Sequence, residues 1–105
     1  MAMFYVQGDY VEKEYRVRCE RIETDRNGKV KRLDSYPVSK AGSFLTTTFK
    51  TYQDAFSACE RYRAYAAEYA MHCKRIRKNN PELYPKDVRF DNFRVETRDV
   101  TDWHI

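Results

Sequence analysis

The longest regular pattern in the chain runs from Tyr52 to Lys78. Ala55, Cys59, Tyr62, Ala66, Tyr69, Cys73 and Ile76 recur at alternating spacings of four and three, which places them on one face of a 3.6-residue helix. Tyr52, Phe56, Ala58, Tyr65 and Ala70 flank that line and widen it to about half the circumference, more than the roughly 100° stripe of an ordinary surface helix. A stripe so wide predicts a broad cover such as a sheet. Thr51 and Asp54 form a T-x-x-D start able to satisfy backbone amides of the first turn. At the other end, Lys74, Arg75, Arg77 and Lys78 meet the negative end of the helix dipole, and Asn79-Asn80-Pro81 stops the helix.

The chain before this helix alternates in the manner of strands. Met3 to Gln7 is a short apolar segment closed by Gly8-Asp9. From Tyr10 to Glu23, Tyr15, Val17 and Cys19 point one way while Arg16, Arg18 and Glu20 point the other, which predicts a half-buried antiparallel strand. Asn27-Gly28 is a hairpin signal suited to a type I′ turn, so Lys29 to Tyr36 is expected to return antiparallel. Pro37 to Gly42 reads as a loop and Ser43 to Phe49 as a further strand. After the helix, Pro81 and Pro85 bracket an irregular segment carrying Leu83 and Tyr84. Val88 to Thr97 reads as the last strand, but Val88 and Phe90 share one parity while Phe93, Val95 and Thr97 share the other. A one-residue slip reverses the buried face, so a bulge or tight turn is expected at Asp91-Asn92. The predicted fold class is α+β: an antiparallel sheet of four to five strands, in the order β-β-β-β-α-β, with the single long helix on one face.

Length and composition set the remaining bounds. A chain of 105 residues is expected to form one domain that buries roughly two-thirds of its unfolded surface without a metal or disulfide. Cys59 and Cys73 lie about 21 Å apart by the helix rise, beyond the roughly 7 Å reach of a disulfide, and the expectation is reduced thiols in a cytoplasmic setting, possible in a virus-infected host cell. The N-terminal residues lack the marks of a signal peptide, and no apolar run approaches membrane-spanning length, so no membrane partner is expected. The formal charge of +4 permits attraction to polyanions without a solid basic block.

Catalysis finds little footing in these residues. His72 and Cys73 diverge by about 100° on a helix and have no second ligand pair, and Gly8, Gly28 and Gly42 are isolated, so neither a metal, a cofactor nor a phosphate loop is expected. A metal-dependent nuclease built on Asp91 and Glu96 is the enzymatic alternative to a non-catalytic protein. Binding surfaces offer more. Arg16 and Arg18 are expected on the exposed sheet face beside Lys29, Lys31 or Arg32 of the hairpin partner, where cross-strand charge pairs are the competing reading. Arg63, Ala67, Ala70, Lys74 and Arg77 run along one margin of the helix stripe, small residues separating basic ones and leaving room for a phosphate backbone or an acidic protein ridge. Tyr10 and Tyr36 are candidates to stack on unpaired bases.

The order strand, Asn-Gly hairpin, strand, loop, then TTTFKTYQDAFSACERY resembles the three-stranded-sheet-plus-helix DNA-binding domains of plant APETALA-type factors and phage integrase arm-binding domains. Phe49, Thr51 and Ala55 carry the resemblance, which covers roughly Tyr15 to Tyr62. It implies DNA contact through arginines of the exposed sheet. The longer helix, the added strand after it and the net acidic tail depart from that family. Together these readings predict a small nucleic-acid-associated binding protein. The alternative is a protein-interaction module, such as a small phage-type inhibitor or adaptor, or a homodimer formed along the helix stripe.

Overall fold

A computed structural model of the protein describes residues 12–82 and 86–99. Four strands and one helix follow one another as β1 (Lys13–Thr24), β2 (Val30–Ser35), β3 (Thr48–Phe49), α1 (Tyr52–Asn79) and β4 (Asp87–Asp99). The strand expected at Met3 to Gln7 lies outside the described residues, as do Tyr10, Leu83, Tyr84 and Trp103. Among the described residues the pairings between strands are all antiparallel, and each of them involves β1. One edge of β1 is lined by β4 along its length. The other edge is shared in tandem, by β3 at Tyr15 and Arg16 and by β2 from Cys19 to Thr24.

The parity slip in β4 resolves as a bulge. Arg94 pairs with Arg18 and Asp91 with Glu20, so Asn92 and Phe93 together oppose Cys19, and Asn92 takes the left-handed conformation at φ 53°. Without the extra residue, either Val88 and Phe90 or Phe93 and Val95 would face away from the helix. With it, both sets face α1.

The core lies under the first half of α1. Val17 packs with Ala58, Cys59 and Tyr62, and Leu45, Phe49, Phe93 and Val95 close around them. Ala55, Ala58 and Ala66 are fully or nearly fully buried, so small side chains bring the helix backbone close to the sheet. Thr51 starts the helix as expected, its Oγ1 accepting from the Asp54 amide at 3.2 Å. Cys19 and Cys59 are buried within this core, and loss of solvent pushes the Cys19 thiol up to about 11 against the opposing pull of Arg94 and Arg18.

Four expectations change. The hairpin is a three-residue loop with Gly28 at φ 82°, in place of a two-residue type I′ turn. Asp25 is the reason, since its Oδ1 accepts from the amides of both Asn27 and Lys29 at 2.9 Å. The strand expected from Ser43 to Phe49 shrinks to Thr48–Phe49, because Ser43 and Leu45 pair back onto Ser39 and Pro37 within their own loop. The helix stripe is buried only as far as Ala66, since the sheet is three strands wide at any level and covers no more than the central line. Tyr52 and Phe56, at 56% and 48% exposure, stand outside it. Finally, the register pairs Lys31 with Glu23 and Arg32 with Ile22, so Arg32 shares the face of Arg18 and Lys31 does not.

Candidate functional site

Two groups of basic residues were expected to bind, and their surroundings differ. On the sheet face turned away from α1, the arginines are bound to carboxylates. Arg16 meets Glu96 at 3.1 Å, Arg94 meets both Glu96 at 3.0 Å and Asp34 at 2.6 Å, and Arg18 is paired with Asp34. Arg32 pairs with Glu20 at 3.1 Å. Tyr36 is enclosed in the same network: the Arg18 guanidinium lies 4.1 Å over its ring, and its hydroxyl accepts from Arg16 at 3.0 Å. The ring expected to meet unpaired bases already carries a guanidinium.

This network makes stability depend on acid. The hydrogen bond from Arg94, with the nearby Arg18 charge, holds the Asp34 carboxyl below its ordinary 3.8 despite some loss of solvent. For Glu23, on the other face of the sheet, burial pulls upward, but the Lys86 hydrogen bond and the Arg21 charge outweigh it and keep the carboxyl below 4.5. A depressed carboxyl contributes stability that is complete above its unfolded value and is lost as pH falls through its folded value. Urea midpoints are therefore expected to hold from pH 7 to about 5 and to fall below about pH 4, with a shallower fall for Asp34→Asn. An equal fall in that variant would remove Asp34 from the account.

The second group lies at one end of the molecule. From Tyr69 to Asn79 the helix carries Lys74, Arg75, Arg77 and Lys78 and no acidic residue. No carboxylate partner is seen for any of these four among the described residues. Lys74, Arg77, Lys78 and Pro81 outline a shallow groove of about 370 Å³. The hairpin tip reaches the same place, since the Arg26 guanidinium donates to the Pro81 carbonyl at 3.3 Å. Behind that tip, Lys29, Lys31 and Lys86 line a groove of about 270 Å³ with Glu23 and Asp25. Lys29, Lys31, Lys74 and Arg77, far apart in sequence, are thus gathered at one end.

Arg63 is placed differently. It contacts Glu60 at 3.3 Å, stands 5.9 Å over the ring of Phe93 and borders a cleft of about 340 Å³ between α1 and β4. Ala67 and Ala70 line that cleft as the small residues of the expected margin, and Arg89 and Phe90 approach from β4. Sequence reasoning missed Arg26, Lys86 and Arg89. Only the chain stop at Asn80-Pro81 and the Asn27-Gly28 reversal hinted that these positions could meet.

No group of three or more His, Cys, Asp or Glu able to hold a metal ion occurs among the described residues. Glu96 is engaged by two arginines, and Asp91 accepts from the Asn92 amide at 2.8 Å. No helix there is long and apolar enough to cross a membrane. Compared with protein-family models, with curated proteins and with solved structures, the chain matches none.

Proposed function

We propose that the protein is a non-catalytic, nucleic-acid-associated module that binds phosphates through its basic end. The observation that carries this reading is the contrast between the two cationic groups. Sheet arginines are neutralised in place by Glu96 and Asp34, whereas Lys74, Arg75, Arg77 and Lys78 project without carboxylate partners beside the hairpin lysines. A cation already paired with a carboxylate has to exchange that partner to bind phosphate, while an unpaired one releases counterions from the nucleic acid at no such cost. The resemblance between Tyr15 and Tyr62 points to the sheet face instead, and the ion pairing there makes the helix end the better site.

The test uses Lys74→Gln/Arg77→Gln/Lys78→Gln beside a charge-matched control, Lys13→Gln/Lys50→Gln/Arg61→Gln, with fluorescence anisotropy on labelled DNA and RNA across salt. The first variant is expected to lose most binding and to flatten the slope of log affinity against log salt by about 2 to 3, from roughly 0.7 to 0.9 per phosphate contact. The control should retain the wild-type slope. Equal loss in both variants, or no binding by wild type at low salt, defeats the reading.

One observation favours a protein partner as the second reading. Tyr52 and Phe56 stack with centroids 6.1 Å apart, Tyr15 meets Tyr52 edge-on, and both helix rings are exposed at the opposite end of α1. Exposed aromatic clusters are frequent anchors of protein interfaces. An acidic protein surface could equally engage the basic end, and a second copy of the chain could engage the aromatic one. Binding through the aromatic rings would depend little on salt.

A further inference from the structure

We infer that the nucleic acid is single-stranded, with one unpaired base seated in the cleft between α1 and β4. The inference rests on the nucleic-acid reading and specifies its ligand. The cleft, at about 340 Å³, falls within the roughly 300–1,000 Å³ of sites that seat small molecules. Its walls suit a flat, largely apolar ring better than a phosphate. Phe90 and Phe93 line it with apolar ring surface, Phe90 packed on Tyr69 and Phe93 under the Arg63 guanidinium. A base would therefore stack on that guanidinium or against the ring edges, and Ala66, Ala67 and Ala70 keep the helix side low. Asp91 also lies in the lining, its Oδ1 accepting from the Asn92 amide at 2.8 Å.

Arg63 borders the cleft and, on exchanging its Glu60 partner, is placed to meet a phosphate beside the base, whereas the register of β4 turns Arg89, also in the lining, toward the opposite face. From Arg63 the same margin continues through Ala67 and Ala70 to Lys74 and Arg77, about 21 Å by the helix rise. That length matches the short end of single-strand sites, about four nucleotides. A base in a duplex is stacked and paired, and would have to leave the stack to enter.

The experiment measures a labelled oligothymidine and a labelled hairpin duplex against wild type and Ala67→Leu. Position 67 is exposed, so leucine fills the cleft without entering the core, and an unchanged melting temperature confirms that the variant folds. Wild type is expected to prefer the single strand by at least 10-fold. Ala67→Leu should weaken it by about 5- to 150-fold, the range of a lost stacked base, with the salt slope and duplex affinity unchanged. Duplex binding as tight as single-strand binding, or an Ala67→Leu variant that binds like wild type, overturns this inference and leaves the phosphate-binding end standing. Failure of wild type to bind either strand form overturns both. Polyglutamate binding as tight as oligothymidine, abolished by Ala67→Leu, would assign the cleft to an acidic peptide instead.

Discussion

Gly42→Ala is expected to destabilise the protein by roughly 3 kcal/mol, against about 1 kcal/mol for Gly28→Ala. Both glycines sit at positive φ, 92° and 82°, where an L side chain costs roughly 1–2 kcal/mol. Space separates them. A Cβ at Gly28 would meet nothing within 4 Å, whereas one at Gly42 would come within 2.8 Å of the Tyr69 ring. Tyr69 has little room to yield, since its ring also packs on Phe90 at 6.2 Å. Displacing a packed ring adds roughly 1–3 kcal/mol. The loop itself is held there, its Lys40 ammonium 3.4 Å from Glu68 and 5.6 Å over the Tyr65 ring. Equal urea midpoints for the two glycine variants would show that this contact does not constrain the loop.

Ile22→Ala is expected to cost about 3 kcal/mol, within the roughly 2–5 kcal/mol range for fully buried aliphatic truncations, and Ile22→Val about 1 kcal/mol. Ile22 is 0% exposed, yet its even parity in β1 sets it on the face turned from the helix, opposite Arg32 and Arg89. That face is therefore apolar at one point and charged around it. Long arginine stems are suited to cover such a residue while their heads stay in water. A loss below 1 kcal/mol for alanine, measured by denaturant titration, would mean that the site collapses around the smaller side chain.

Local chemistry is what the sequence displayed well. Thr51 as a cap, the span of α1 and the bulge at Asp91-Asn92 each follow from a few neighbouring residues, and each took the expected form within a residue. Features set by distant partners were not readable. Arg16 and Glu96 are 80 residues apart, so no spacing announced that this arginine would be neutralised. The width of the helix stripe suggested a broad cover, but tandem use of one edge of β1 by β2 and β3 left a narrow sheet and exposed Tyr52 and Phe56. The hairpin was placed correctly and its turn type missed, because Asp25 captured two backbone amides that the Asn-Gly pair alone does not involve.

The dominance of β1 bears on how the molecule comes into being. Its longest ladder joins residues separated by 63 to 86 positions, from the Thr24–Asp87 pair to the Lys13–Asp99 pair. Pairing at that separation closes a large loop before it yields contact energy, the condition that slows folding. A ribosome adds about 5–20 residues per second. For some seconds after β1 emerges, its β4 edge therefore has no partner in the nascent chain, and that edge is open to chaperones or to other chains until residues 87–99 arrive.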